Sequence, residues 1–358
     1  MTIGRKVLAV TVKFDLAYYR RVIEEFGYDP LVVRAINFGL TGWTPEQLSN
    51  QWLCHMDGDR FSAAQAAGEQ VIATTGFGIS GVPHVGTLSQ ILKAIRLQRS
   101  GLPVQIVLGD LDAHNGKAVP LKFTMDLAEQ FRSFVLSLGF RDEQPSILRT
   151  QFAHPEVNRL AYLLGHYMED EAFGETEEDL HAFYAHQGKV DAHMSYRRKA
   201  SLNLMIADFL DLHMSGGFDH VLVFLGIDEH RYVKFGADAI ARAGESDWLG
   251  QPPTLAALYS GIIKGFFGFP KMSKSFPQSG ITVDMSADEI RARIMDGEGP
   301  YEGPLDNVVF QMISMASLWP AEEIARSYEL CVAGGSAWRN ARVRYADHLI
   351  EMCARWEG

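Results

Sequence analysis

Three apolar runs, each followed at once by glycine and polar residues, constrain the fold of this chain more than any other feature. The runs occupy positions 71–75, 104–108 and 221–225. Between the first two runs, Leu88, Ile91 and Ile95 recur at helical spacing, which gives a strand–helix–strand order. Apolar strands in this order are typical of a parallel sheet that helices cover on both faces. The sequence therefore predicts an α/β protein with a parallel sheet at its core.

The remaining pattern divides the chain into regions. In the first region, Tyr18, Val22 and Phe26 mark a helix, but no chemistry is visible there. The last region is mostly helical and ends in a helix with an apolar face. The predicted regions are an N-terminal extension (1–68), a Rossmann-like catalytic domain (69–285) with a helical insertion at about 113–218, and a C-terminal helical domain (286–358).

Composition excludes several classes of protein. The chain has 358 residues, of which 47% are hydrophobic, and a formal net charge of −11. This charge disfavours non-specific coating of nucleic acid or of an anionic membrane. No apolar run approaches the roughly 18 residues that span a bilayer. The three cysteines lack zinc-knuckle spacing, so no metal site of the protein's own is predicted. We expect a cytoplasmic protein without a membrane partner.

Glycines follow the first strand at the edge where ligands bind in open α/β sheets. Gly76, Gly78 and Gly86 allow a ligand to approach the backbone closely. A helix predicted to begin near Thr87 would direct its N–H groups and its positive dipole end at an anion. By itself, this segment is equally consistent with a tight connection between a strand and a helix.

A second segment, Lys271-Met272-Ser273-Lys274-Ser275, is more specific. It places two ammonium groups and two hydroxyl groups on one short loop. Two flexible cations can meet nucleotide phosphate oxygens while charge builds on departing pyrophosphate, which would stabilise that transition state. The alternative interpretation is a solvated surface loop.

These two segments resemble the signatures of class I aminoacyl-tRNA synthetases. His84-Val85-Gly86-Thr87 is similar to the HIGH signature, and residues 271–275 match an intact KMSKS signature that begins 187 positions after His84. The segments 110–114 and 226–229 resemble the tyrosyl/tryptophanyl subgroup in its archaeal and eukaryotic form. The resemblance covers about residues 60–350 and implies a Rossmann-like core, a helical insertion, a helical C-terminal domain and adenylate-forming ATP chemistry.

The resemblance implies a role for each matched residue. His84 would contact the ATP phosphates, with Thr87 in the place of the signature's second histidine. Lys271 and Lys274 would act on the pyrophosphate, and Asp228 would hold the ribose. Mg²⁺ would accompany ATP through the phosphate oxygens. The expected ATP-binding set is completed by Gly76, Gly78, Gly86, Gly226, Ser273 and Ser275.

The amino-acid side of the site departs from the family pattern. Thr74 stands where the family usually has a tyrosine, and Glu229 stands where it usually has a glutamine. Ile206 and Phe209 align with polar residues of the family's pocket. Replacing several groups that hydrogen-bond a substrate should change which substrate is bound.

Carboxylates elsewhere could compensate for these replacements. If the alignment has slipped by one helical turn, Asp208 or Asp211 supplies the missing acid. Asp110 and Asp112 are candidates for the ammonium group of the substrate, although Asp110 could instead cap the turn that follows it.

The activated acid and its acceptor stay open at this point. The resemblance implies ATP-dependent activation of an amino acid and transfer to tRNA, and also a homodimer. However, residues 276–358 carry seven Lys and Arg against thirteen Asp and Glu, and tRNA phosphates need local positive charge. The alternatives are a stand-alone ligase that transfers a different amino acid to a small-molecule acceptor, and an inactive synthetase-like regulatory protein.

Overall fold

A seven-stranded sheet forms the centre of the described part of the protein. The computed structural model describes residues 13–31, 44, 48–49, 51–176, 194–246 and 248–357. The strand order is β1-β2-β7-β6-β3-β4-β5. The strands are β1 (Asp29–Pro30), β2 (Cys54–Met56), β3 (Val71–Gly78), β4 (Val104–Gly109), β5 (Ile147–Thr150), β6 (His220–Gly226) and β7 (Thr254–Ser260). The strands β7, β6, β3, β4 and β5 run parallel, whereas β1 and β2 join the β7 edge antiparallel.

Helices connect and cover these strands. The N-terminal and central helices are α1 (Leu16–Phe26), α2 (Gly58–Ala66), α3 (Val85–Arg99), α4 (Asp110–Lys117), α5 (Leu121–Ser137), α6 (Pro155–Leu164), α7 (Ala172–Glu175), α8 (Tyr196–Met214) and α9 (His230–Gly244). The C-terminal helices are α10 (Ala287–Asp296), α11 (Val308–Met315), α12 (Ala321–Ala333) and α13 (Gly335–Cys353). The helices expected from Tyr18 onward and near Thr87 are α1 and α3. Among the described residues, no helix is long and apolar enough to cross a membrane.

Two hydrophobic cores lie on the two faces of the sheet, because the central strands are apolar on both sides. On one face, Ala73 and Ile106 pack with α3, α5 and the C-terminal helices. On the other face, Ile72 and Val223 pack with α1, α8 and α9. The predicted parallel α/β core is therefore confirmed.

Three parts of the sheet differ from the sequence-based expectation. β5 lies inside the region read as a helical insertion, yet it pairs in parallel with β4. Only Leu148 of β5 is fully buried, so this short strand lacks the apolar run that marks β3 or β4. β7 was not predicted either, and the region read as an N-terminal extension supplies the edge strands β1 and β2.

The end of the chain packs against the sheet-covering helix α5. As predicted, α13 buries Trp338, Tyr345 and Leu349 along one face. Beyond the end of α13, the indole of Trp356 meets the rings of Phe131 and Phe134 edge-on, with ring centroids 5.4 Å apart in both pairs. The end of the chain is thus anchored on α5 by aromatic contacts.

Removing this anchor should lower the stability of the fold. We expect Trp356→Ala to reduce the free energy of unfolding by about 2 kcal/mol, since a partly buried indole and two edge-on ring contacts are lost. Urea denaturation followed by circular dichroism measures this change. Tyr162→Ala is the matched control because Tyr162 is 88% exposed on α6. Equal stability of the two variants would contradict the anchoring role.

Candidate active site

Backbone pairing brings the two signature segments together at the carboxyl edge of the sheet. The Val85 N–H donates to the Ile281 carbonyl at 2.9 Å, and the Val283 N–H donates to the Pro83 carbonyl at 3.0 Å. His84 and Thr282 thereby form an antiparallel bridge. The segment that follows the lysine loop is therefore fixed against the start of α3.

His84 caps the N-terminus of α3. Its Nδ1 accepts a hydrogen bond from the Thr87 N–H at 3.3 Å, so the neutral ring carries its hydrogen on Nε2. Burial, reinforced by the charges of Lys274 and Lys271, lowers the pKa of His84 to about 3. A Cβ at Gly86 would lie 2.8 Å from His84 Cε1, so glycine leaves room for the ring. At neutral pH, His84 can therefore donate a hydrogen bond as an uncharged group.

Lys274 reaches across the site to the end of β3. Its Nζ donates to the Gly78 carbonyl at 3.0 Å and lies 5.5 Å from the centroid of the Phe131 ring. Burial lowers the pKa of Lys274 to about 7, and the positive charge of Lys117 adds to this effect, whereas Asp112 opposes it. The ammonium group is therefore poised between its charged and neutral forms near neutral pH.

Lys271 is held by the carboxylate at the end of β6. Its Nζ lies 2.5 Å from Asp228 Oδ2, and the Asp228 side chain is largely buried. A Cβ at Gly226 would lie 2.5 Å from Asp228 Oδ1, so only glycine permits this position of the carboxylate. A ligand that takes the Asp228 carboxylate would displace the Lys271 ammonium group from it.

The two serines of the loop shape its backbone. Ser273 Oγ accepts from the Ser275 N–H at 3.2 Å, and the Ser273 N–H donates to Ser279 Oγ at 2.9 Å. Met272 is buried and anchors the loop in the core. The predicted contact of Ser273 and Ser275 with a ligand stays a prediction. In the structure, Ser273 and Ser275 stabilise the backbone of the loop through local hydrogen bonds.

The two candidate acids of α4 lie in different environments. Asp110 Oδ1 accepts from the backbone N–H groups of Leu111, Gln151 and Phe152 at 2.9–3.1 Å, so two of its three bonds come from the segment after β5 rather than from the turn that it was expected to cap. Asp112 lies against β3, because a Cβ at Gly78 would be 2.6 Å from its Oδ2. Burial raises the pKa of the Asp112 carboxyl. Of the two, Asp112 is the better candidate for an ammonium group.

The predicted pocket residues on α8 pack against α9. Ile206 and Phe209 pack on Gly236 of α9, at 3.4 Å and 3.7 Å from the position its Cβ would take. Asp208 instead points toward β5, where the Arg149 guanidinium lies 2.9 Å from Asp208 Oδ1. Asp208 therefore faces the sheet, and its expected role as the missing acid of the substrate site stays a prediction. Glu229 occupies the N-cap position of α9, next to Asp228.

Thr74 belongs to a buried polar network that sequence reasoning only partly found. Its hydroxyl accepts from Gln105 Nε2 at 3.1 Å, and Gln105 Oε1 accepts from Arg149 Nε at 3.0 Å. Gln151 Nε2 donates to Asp208 Oδ2 on α8 at 2.7 Å, and Gln151 Oε1 accepts from the Asp112 N–H on α4 at 3.0 Å. Gln105, Arg149 and Gln151 carry no family signature. The polar residues inside otherwise apolar β4 and the short β5 are the signal that could have found them.

Comparison with known proteins identifies the family to which this chain belongs. Residues 66–296 match the model of the family described as tRNA synthetases class I (W and Y). The chain belongs to that family, as the two signatures predicted. It is 27% identical over 228 residues to tryptophan–tRNA ligase 1 of Halobacterium salinarum, a match that covers 63% of this chain and 41% of that protein. It is 25% identical over 273 residues to the tryptophan–tRNA ligase of Aeropyrum pernix, covering 75% and 68%.

Solved structures show the same fold. The tryptophanyl-tRNA synthetase from Aeropyrum pernix superposes with a TM-score of 0.79 at 20% identity, covering 95% of this chain and 94% of that one. The tyrosyl-tRNA synthetase from the same organism gives a TM-score of 0.66 at 18% identity, covering 87% and 92%. The predicted Rossmann-like fold with a helical C-terminal region is confirmed.

The titration of Lys274 predicts a pH dependence of nucleotide binding. Because the pKa of Lys274 lies below its ordinary value, the ammonium form is lost as the pH rises through about 7. We expect the affinity for ATP, measured by calorimetry, to fall about tenfold between pH 7 and pH 8.5. Lys274→Arg should abolish this fall, since a guanidinium stays protonated. An equal loss of affinity in the arginine variant would show that deprotonation of Lys274 is not the cause.

Proposed function

We propose that the protein activates an amino acid with ATP and forms an aminoacyl-adenylate with release of pyrophosphate. The single observation that carries this proposal is the pairing of the His84 segment with the 281–283 segment, which places two lysines and a neutral histidine at the N-terminus of α3. A cluster of this kind suits a polyphosphate. Membership of the tryptophanyl/tyrosyl family supports the same reaction.

In the proposed reaction, a carboxylate oxygen of the amino acid attacks the α-phosphorus of ATP. The bond from the α-phosphorus to the bridging oxygen breaks, and pyrophosphate leaves with its electron pair. His84 would donate a hydrogen bond to a phosphate oxygen, and Lys271 and Lys274 would offset the charge on pyrophosphate. No side chain needs to act as a covalent nucleophile.

The binding of ATP would use groups that already lie at this edge. Asp228 would accept hydrogen bonds from the ribose in place of its ion pair with Lys271, which then turns toward the phosphates. The glycine at 86 keeps the backbone open beside His84. Mg²⁺, carried on phosphate oxygens, would supply further positive charge. Asp112 would take the ammonium group of the amino acid.

Membership of the family supports transfer of the activated amino acid to tRNA as the second step, and a homodimer stays an expectation from the resemblance. In the second step, a tRNA hydroxyl would attack the carbonyl carbon, and AMP would leave. The named relatives are tryptophan–tRNA ligases. Tryptophan–tRNA ligase activity is thus the first candidate for the complete reaction.

A second candidate is a ligase that transfers another amino acid to a small molecule, and two observations favour it. Thr74, which stands where the family usually has a tyrosine, is joined by hydrogen bonds through Gln105 to Arg149, so polar groups take the place of an aromatic ring. In the C-terminal region, Arg291 pairs with Asp347, and Arg342 pairs with Glu298. These cations are already engaged by acids, which weakens the case for tRNA phosphate contacts.

Pyrophosphate exchange into ATP tests the activation step. We expect Lys274→Ala to lower the exchange rate at least ~10²-fold, because the loop would no longer offset the charge of pyrophosphate. Lys122→Ala is the matched control, since Lys122 is exposed on α5 and pairs with Asp126 one turn away. Equal rates in the two variants would remove Lys274 from the reaction.

Substitution of Thr74 tests whether the amino acid binds next to this side chain. Thr74 and Thr75 are both buried, but they point to opposite faces of β3. If Thr74 hydrogen-bonds a substrate, Thr74→Val should lower kcat/KM for the responding amino acid about 10- to 100-fold and leave KM for ATP unchanged. Thr75→Val should change neither. A Thr74→Val variant with unaltered kcat/KM would place the amino acid elsewhere.

A further inference from the structure

The N-terminal helix α1 is held in a fixed position by its two caps and by its buried face. Asp15 caps it by accepting from the Tyr18 N–H at 2.9 Å, and Gly27 ends it in the left-handed conformation at φ 68°. Tyr18 and Val22 are buried in the core that also holds α8 and α9. The helix is therefore fixed at both ends and along its inner face.

Tyr19, the neighbour of Tyr18, uses this fixed position to hold the loop after β7. Its hydroxyl oxygen accepts a hydrogen bond from the Ile262 N–H at 3.0 Å. A Cβ at Gly261 would lie 3.7 Å from the same oxygen, so the phenol lies directly against the loop backbone. This contact joins residues 243 positions apart in the chain.

The loop that Tyr19 holds lies against the end of β6. Ile262 Cδ1 is 2.8 Å from the position that a Cβ at Gly226 would occupy, so this side chain packs directly on the glycine backbone. The Asp228 carboxylate is packed on the same Gly226, with Oδ1 2.5 Å from that position. Tyr19 therefore contacts the Ile262 backbone, and the side chains of Ile262 and Asp228 both pack on Gly226.

The pKa of Tyr19 also reflects its closeness to Asp228. Burial raises the pKa of Tyr19 well above its ordinary value, and the negative charge of Asp228 adds to the increase. The phenol therefore stays protonated, and it can hold the loop and the site in the same state across the physiological pH range.

We propose that Tyr19 is a positioning residue of the ATP site, which fixes Ile262 on Gly226 and thereby the carboxylate of Asp228 that receives the ribose. This inference rests on the proposed function, because it takes Asp228 as the ribose-binding group. It assigns a role to a region in which the sequence showed no chemistry. The N-terminal helix becomes a part of the nucleotide site.

A conservative substitution tests this role. Tyr19→Phe keeps the ring and removes the oxygen that receives the Ile262 N–H. We expect Kd for ATP, measured by calorimetry on the full chain, to rise about 3- to 10-fold, the effect of losing one hydrogen bond. Tyr18→Phe is the matched control, because it removes the same atom from the adjacent residue of the same helix. Its Kd for ATP should stay within twofold of the wild type.

A second readout separates positioning of the ribose carboxylate from a general structural role. The wild type should bind 2′-deoxy-ATP and 3′-deoxy-ATP more weakly than ATP, and Tyr19→Phe should lose at least threefold of that preference. A variant that binds all three nucleotides more weakly by one common factor would overturn the proposal, as would an unchanged Kd. Failure of the wild type to bind ATP would instead remove the proposed function itself, and this inference with it.

Discussion

The backbone ladder between residues 83–85 and 281–283 is the interaction on which the rest of the site depends. Two hydrogen bonds, of 2.9 Å and 3.0 Å, hold the start of α3 against the segment that follows the lysine loop. His84 lies at the centre of this ladder and also caps α3. Because backbone groups make these bonds, the relative position of the histidine and the lysine loop does not depend on flexible side chains. Lys271 and Lys274 can then change partners while their loop stays anchored by Met272.

Close packing on glycine sets the second constraint. Gly86 leaves room for the His84 ring, Gly226 for Asp228 and Gly78 for Asp112. In each case a methyl group would lie within 3 Å of a side chain at the candidate site, so a larger residue would displace a working group. The same closeness explains how a contact at Ile262, made by a helix from the N-terminal region, can reach the carboxylate of Asp228.

The sequence predicted the chemistry of the ATP side more completely than that of the amino-acid side. The apolar runs of β3, β4 and β6 and the two signatures are local patterns, and they identified the parallel sheet and the family. The strands β5 and β7 were not predicted. The contact of Tyr19 was not predicted either, because its partner lies 243 positions away in the chain. Whether Ile206 or Asp208 faces the sheet depends on a rotation of α8 that one helical turn of alignment error would hide. Only tertiary contacts with Arg149 and Gly236 decide it.

In the proposed reaction, the carboxylate of an amino acid attacks the α-phosphorus of ATP at this site. The most direct measurement supplies the protein with ATP, Mg²⁺, hydroxylamine as acceptor and the twenty amino acids labelled with ¹⁸O in both carboxylate oxygens. Mass spectrometry of the products then locates the label. We expect AMP that carries one ¹⁸O atom, together with pyrophosphate and a hydroxamate. Label in inorganic phosphate with formation of ADP, or AMP free of label, would contradict the proposed reaction.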